Sequence, residues 1–311
     1  MKEIIYAIFL SFFLCGLCGN AEAKKKKEVK KAIKREVQTP YDKLFKGKKA
    51  FTVNGLMKMH LMAGKVYAEF PIELLNRDLA LTSSIEDISD NGEGVVGQFA
   101  GRVNQFRFTL RDSMLQARLV RRYGVKNTGM GKNADQIIER SNTPGIFQSY
   151  KILAYTPDKK AVVVDMTELF LESSRLTNPF PSYAGNSLYG FVQRIHKFQS
   201  QRSELLGICG NDNSMSVRCN LGFNVDRLVL GSFMQAKDVP VSVTVNKILM
   251  LLPEDPMRPR LADSRIGVNA IIQTELPDVC QGIKTYYITK RWRIEPVDEI
   301  RYKQGEMVDV K

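Results

Sequence analysis

Histidine is scarce in this chain, and its scarcity limits the chemistry that the chain can perform. Only His60 and His196 occur among 311 residues. Neither begins the sequence His-Glu-x-x-His that holds zinc on a helix, and two imidazoles are too few for a three-histidine zinc site. The sequence therefore predicts no catalytic residue, no metal ligand and no cofactor in this chain.

Cysteine is also rare, and only Cys209, Cys219 and Cys280 follow the first 23 residues. Cys209 and Cys219 flank the sequence Gly-Asn-Asp-Asn-Ser at 210–214, which is a strong turn signal. A hairpin there would place the two thiols opposite each other, and a disulfide closing so short a loop would contribute about 2–3 kcal/mol. The alternative is two unpaired buried thiols, and the sequence leaves both open.

Long apolar runs are absent except at the N-terminus. Residues 4–17 are apolar, and Ala-Glu-Ala at 21–23 gives the small-x-small cleavage pattern of a secretory signal peptide over residues 1–23. The run is short for a transmembrane span, and no second run of that length follows. We expect an exported protein of the periplasm, cell envelope or medium; a lipid anchor on Cys18 is the less favoured alternative.

Positive charge is in excess, and it is concentrated near the start of the chain. The net charge is +13, and residues 24–38 form a lysine-rich leader. Such a leader is typical of a solvated segment, and weak contact with anionic lipid or polysaccharide of the envelope is the alternative. We expect no nucleic-acid partner, because Phe106 and Phe108 alternate with Arg107 and so occupy the opposite face of a strand, as a sheet core requires.

Alternation of apolar and polar residues is the main structural signal. It covers residues 104–111, 114–121 and 241–249, while 56–60 and 65–70 flank a plausible hairpin turn. Helix signals are few, at 133–140, 166–173 and 190–198. The sequence predicts a mainly β (α+β) fold of antiparallel sheets with a few short helices.

Glycine-rich segments of the chain suggest where its domains begin and end. Residues 89–97 contain three glycines and form the best early boundary. We predict a small α+β domain at 39–90, a β-rich domain at 91–255 and a connecting segment at 256–311.

Four separated segments carry a resemblance to a known family. They are residues 74–81, with an Arg-Asp pair before a strand; residues 162–170, a strand-to-helix junction; the arginine-rich residues 256–267; and residues 284–296, which contain Trp292. In this order they resemble the N-terminal domains, and the lead-in to the catalytic domain, of a family of large secreted bacterial zinc-dependent metalloproteases. The biochemical role of those N-terminal domains is unassigned.

The resemblance implies a zincin whose catalytic helix carries His-Glu-x-x-His, with zinc bound only there. No catalytic or metal-binding residue can be transferred to this chain, so the chain itself is not expected to be catalytic. The resemblance also implies that residues 256–311 lead into a catalytic domain. Arg258, Arg260, Asp263 and Arg265 are the predicted contacts with that domain, in cis or in trans, and a solvated connector is the alternative.

Three functional interpretations follow. The favoured one is an exported non-catalytic N-terminal region of such a metalloprotease, in a form truncated before the zinc site. The second is a stand-alone envelope module that binds a protein or glycan. The third is an inhibitory or chaperoning segment for a protease supplied in trans.

Overall fold

The computed structural model describes most of the chain after residue 37. It covers residues 38–101, 103–120, 126–127, 136, 140, 142–172, 177–180, 183–187, 190–230, 235–254, 257–263, 265, 267, 269–276, 284–291 and 296–310. The predicted signal peptide with Cys18, residues 24–37 of the predicted leader, Cys280, Trp292 and most of the predicted helix 133–140 lie outside these residues.

The chain divides into two units, residues 1–48 and residues 49–311. In the first unit, helix α1 (Pro40–Phe45) starts at a capping box: Asp42 N donates to Thr39 Oγ1 at 3.1 Å, and Thr39 N donates to an Asp42 carboxylate oxygen at 3.1 Å. Thr39 and Asp42 therefore satisfy N–H groups that would otherwise lack partners at the helix start.

The second unit is built from strands, with short helices between some of them. The strands are β1 (Phe51–Val53), β2 (Lys58–Met62), β3 (Lys65–Pro71), β4 (Asp78–Ile88), β5 (Asn104–Arg111), β6 (Met114–Leu119), β7 (Lys126–Asn127), β8 (Gly145–Tyr155), β9 (Ala161–Asp165), β10 (Tyr183–Ser187), β11 (Gly190–Asn211), β12 (Ser214–Leu230), β13 (Gln235–Leu251), β14 (Ala270–Leu276) and β15 (Lys284–Thr289). The helices are a 3₁₀ turn (Ile72–Leu74), α2 (Thr167–Leu171) and α3 (Glu299–Lys303).

Within the described residues, twelve strands form one large sheet in the order β1-β2-β3-β9-β8-β6-β5-β4-β13-β12-β11-β10, and β15-β14-β7 form a second, smaller sheet. Neighbours in the large sheet are antiparallel, which confirms the predicted mainly β fold. Strands from residues 51–88 and from residues 104–251 share the large sheet.

The predicted hairpin at 56–70 is confirmed as β2 and β3. Ala63 and Gly64 connect them with φ of 50° and 71°. Left-handed φ at both turn positions gives a two-residue loop whose twist matches the flanking strands. The turn thereby aligns Met59 with Ala68 on the core face.

Alternation along β5 and β6 produces the main core, as predicted. Phe106 and Phe108 are fully buried opposite Leu119 and Ala117, and Phe108 packs on Phe70 with ring centroids 4.8 Å apart. Their polar neighbours in sequence point to the other face.

The predicted strand-to-helix junction at 162–170 is also confirmed. β9 lies between β3 and β8, so its valines are buried on both faces. Asp165 then accepts a hydrogen bond from Thr167 N at 3.0 Å at the start of α2. Leu169 and Phe170 of that helix pack into the main core.

The helix predicted at 190–198 is wrong, because these residues begin β11. They pair with β12 from Phe191 opposite Leu230 onward. Alternate residues reach a second apolar cluster, where Phe198 packs on Phe223 at 5.7 Å between ring centroids. Pairing along a long partner strand has overridden a weak local helix signal.

The hairpin predicted at 210–214 is present, but the disulfide between Cys209 and Cys219 is not formed. Cys209 lies opposite Ser216, so it shares a face with Ser216 and is exposed. Cys219 lies three positions beyond Ser216 and is buried on the other face. The two thiols therefore lie on opposite sides of the sheet.

Candidate functional site

Strands β14 and β15 of the smaller sheet, together with residues 257–263 and 290–291, form an arrangement that we call the terminal ribbon. β14 and β15 pair antiparallel. On the other edge of β15, Thr289 N donates to Arg260 O at 2.9 Å and Ala262 N donates to Tyr287 O at 2.7 Å, on either side of a bridge between Leu261 and Ile288. These bonds fix which residues share a face.

One side of the ribbon, the arginine face, consists of Arg258, Arg260, Ile272, Tyr287 and Arg291. Ile272 and Tyr287 lie directly opposite each other and are 67% and 56% exposed. The bond between Thr289 N and Arg260 O places Arg260 on this side, and the exposed Arg258 and Arg291 lie at the same end of the ribbon. The Arg291 guanidinium donates to the Arg258 carbonyl, and within the described part of the chain none of the three arginines has an acidic partner.

The opposite side of the ribbon is also apolar and open. Leu261 and Ile271 are exposed there, on either side of Ile288. Antiparallel sheets commonly bury at least one face, so the exposed apolar side chains on both faces make the ribbon a candidate contact surface.

The four predicted contact residues separate into two pairs. Arg258 and Arg260 belong to the arginine face. Asp263 and Arg265 instead pair with each other, with Arg265 Nη2 at 2.5 Å from Asp263 Oδ2. The Arg265 side chain lowers the pKa of the Asp263 carboxyl through these hydrogen bonds. The structure therefore gives Asp263 and Arg265 a local partner, and contact of any of the four with another domain stays a prediction.

A buried charged cluster forms away from the ribbon, where the loop after β4 crosses β11 and β12. The Glu93 side chain is 1% exposed; His196 Nε2 lies 2.6 Å from its Oε2, and Arg227 Nε lies 2.7 Å from its Oε1. Arg227 also pairs with Asp90, which lowers the pKa of that carboxyl. These contacts hold the loop against β11 and β12. The Arg227 charge is matched by the carboxylates of Glu93 and Asp90. Within the cluster only His196 Nδ1 has no hydrogen-bond partner among the described residues.

A second polar row crosses β1, β2 and β3. Thr52 Oγ1 lies 2.8 Å from His60 Nδ1, and His60 Nε2 lies 3.0 Å from Glu69 Oε1. The catalytic triad of serine hydrolases has the same order of groups, in which a hydroxyl contacts an imidazole and the imidazole contacts a carboxylate. Here the three groups come from three adjacent strands, so we interpret the row as a link that ties the short edge strand β1 to the sheet.

A buried amine lies between the two apolar clusters. Lys247 on β13 is 1% exposed, and Val245 and Leu249 on either side belong to the two clusters. Its Nζ donates to Glu172 O at 3.2 Å at the end of α2, and burial lowers its pKa to about 8. Nearby, burial raises the pKa of the Cys219 thiol to about 11, which keeps this thiol unreactive.

The described residues contain no group of three or more histidine, cysteine, aspartate or glutamate side chains placed to hold a metal ion. The same part of the chain has no helix long and apolar enough to cross a membrane.

Comparison with known families gives two matches. The family described as Domain of unknown function (DUF5117) matches residues 97–297, more than half of the chain. The chain belongs to this family. A second family, Domain of unknown function (DUF5118), matches residues 38–88. No curated protein and no solved structure matches the chain.

Some contacts of the candidate sites join residues that are far apart in the sequence. Glu93 and His196 lie 103 positions apart, with no local signal to connect them. The grouping of Arg291 and Tyr287 with Arg258 depends on the ribbon register, which the sequence alone does not specify. By contrast, the β2–β3 hairpin register places Lys58 opposite Glu69 and could have been derived from the predicted turn.

Proposed function

We propose that this chain is the exported, non-catalytic N-terminal region of a zinc-dependent metalloprotease of the zincin type. Its role is to dock to the catalytic domain, in cis or in trans, through the terminal ribbon. Zinc and the water-activating glutamate belong to the catalytic domain, because the chain has only two histidines and no His-Glu-x-x-His sequence. The DUF5118 and DUF5117 matches are consistent with the N-terminal domains of that family, whose role is unassigned.

The observation that carries the proposal is the exposure of apolar side chains on both faces of the terminal ribbon. Ile272 and Tyr287 are open on one face, and Leu261 and Ile271 on the other. Burying such residues against a partner removes apolar surface from water at about 25 cal/mol per Å². A docking surface explains why this part of the chain carries them.

The test is a direct binding measurement. The chain is mixed with the separately purified catalytic domain of a metalloprotease of the resembled family, one that carries His-Glu-x-x-His, and binding is followed by titration calorimetry. We expect a complex, and we expect the double variant Ile272→Glu/Tyr287→Glu to bind at least about tenfold more weakly, because central apolar anchors dominate interface energies.

The matched control is Val95→Glu/Phe99→Glu, which adds the same charge at two exposed apolar residues outside the ribbon. It should bind like the natural chain. Absence of a complex, or equal weakening by both double variants, would contradict the proposed function.

A further inference from the structure

We infer that the partner surface received by the terminal ribbon is acidic around an apolar centre, and that the arginine face, rather than the opposite face, recognises it. This inference rests on the proposed docking function and adds the chemistry of the partner. The occupant is the surface of a folded protein domain, because guanidiniums that have no acidic partner among the described residues, together with an exposed aliphatic and aromatic pair, call for carboxylates beside an apolar patch.

The first support is the contrast between paired and unpaired cations. Arg265 pairs with Asp263, Arg301 with Glu306 and Lys303 with Glu299. Arg258, Arg260 and Arg291 have no such partner among the described residues, although they lie in the same stretch of chain. The described part of this stretch thus pairs its other arginines with carboxylates and leaves three arginines without one.

The second support is the placement of those three arginines. The bonds between residues 260–262 and 287–289 put Arg260 beside Thr289, and the contact of the Arg291 guanidinium with the Arg258 carbonyl brings those two residues together beyond that pair. A guanidinium can receive a carboxylate in bidentate geometry, which a lysine cannot do.

The third support is the apolar pair on the side of the ribbon that carries Arg260. Ile272 and Tyr287 form an exposed cross-strand pair there. Tyrosine and arginine are enriched at the centres of protein–protein interfaces, whereas lysine is depleted there. A lipid headgroup layer would satisfy the arginines but would not need the apolar pair in the same plane, so a protein surface is the better match.

The test uses the full chain and two charge-reversal variants. In the first, Arg258, Arg260 and Arg291 are each replaced by glutamate. The control replaces Arg111, Lys151 and Lys159 by glutamate; these residues are exposed outside the ribbon, and the change in net charge is the same. Circular dichroism and urea unfolding first establish that both variants are folded.

The first probe is a capped peptide of alternating glutamate and leucine, with an alternating lysine and leucine peptide beside it, followed by fluorescence anisotropy at low salt. We expect the natural chain and the control to bind the glutamate peptide and not the lysine peptide. The arginine-face variant should bind at least about tenfold more weakly, since three exposed ion pairs are lost and reversed. Equal binding by all three proteins would overturn the inference.

The second probe is the catalytic domain used in the binding test above, and it separates the two proposals. If the natural chain binds this domain and the arginine-face variant binds it equally well, the inference fails and the docking function stands. If the domain does not bind but the glutamate peptide does, through the arginine face, the docking function fails and the inference stands.

Two further outcomes would also overturn the inference. One is binding of the natural chain to phosphatidylglycerol vesicles, lost in the arginine-face variant, without binding of the glutamate peptide; this would identify a membrane surface instead. The other is a concentration-dependent dimer, measured by light scattering, that the arginine-face variant abolishes; this would identify a second copy of the chain as the occupant.

Discussion

Replacing the buried Lys247 by methionine should stabilise the folded protein near neutral pH and should destabilise it at high pH. The side chain is almost fully buried, and its amine has one described hydrogen-bond acceptor, the carbonyl of Glu172. Methionine fills a similar volume with an unbranched, apolar chain. The substitution therefore removes a buried charge without opening a large cavity.

The size of this stability change follows from the lowered pKa of Lys247. In the folded protein the pKa of Lys247 is about 8, against an ordinary value of 10.5. Below pH 8 the amine is charged in both the folded and the unfolded chain, and the folded protein bears the full cost of about 3 kcal/mol. Above pH 10.5 the amine is neutral in both states and the cost disappears, so the stability of the natural protein rises between these values.

The variant carries a small constant penalty, because the Glu172 carbonyl loses its donor, which costs about 1 kcal/mol. The net effect of Lys247→Met is thus a gain of about 2 kcal/mol at pH 7 and a loss of about 1 kcal/mol above pH 10.5. The quantity to compare is the difference in free energy of unfolding between the variant and the natural protein, because the contributions of the other titrating groups cancel in this difference.

Urea unfolding at pH values from 7 to 10.5 measures this difference. Lys151→Met, at an exposed position on β8, is the control and should give a difference that does not change with pH. If Lys247→Met also gives a pH-independent difference, or one that grows more stabilising as the pH rises, the account of Lys247 as a buried, destabilising charge is refuted.

Three further predictions concern the fold. Glu93→Gln should lower the free energy of unfolding by about 2 kcal/mol, because the partly exposed Arg227 loses its charged hydrogen-bond acceptor; urea unfolding measures this, and a loss under about 0.5 kcal/mol would argue against the cluster as an anchor. In the native protein, Cys209 should react with a thiol reagent while Cys219 reacts only after unfolding; protection of both cysteines would contradict the observed separation. Ala63→Gly should raise the unfolding midpoint in urea, by about 0.5–1 kcal/mol of stability, because alanine is strained at φ 50°; an unchanged or lowered midpoint would count against the strained turn.

Local patterns were sufficient to predict much of the large sheet. Phe106 and Phe108 alternate with polar neighbours, and the apolar run at 161–164 indicates a strand covered on both sides; both features depend only on residues close in sequence. Polar side chains such as Arg194 and His196 weaken the alternation over residues 190–198, so the sequence does not predict a strand there. Both side chains contact Glu93, which lies on a loop distant in sequence.

The sequence was also insufficient to predict the arrangement of the candidate site. It shows that arginines are frequent at 258–265, but it does not show which of them lack an acidic partner in the folded chain. Asp263 and Arg265 are two residues apart and pair with each other, whereas Arg291 meets Arg258 across 33 positions of the chain. Register and exposure are tertiary properties, and they decide which charges can meet a partner.

The most direct test of the docking account is amide hydrogen exchange of the full chain with and without the metalloprotease catalytic domain. If the ribbon is the docking surface, exchange should slow in the peptides covering β14, β15 and residues 257–263, and exchange in the core strands β5 and β6 should be unchanged. Unchanged exchange in the ribbon, or slowing confined to another part of the chain, would contradict the central claim that this ribbon is the docking surface.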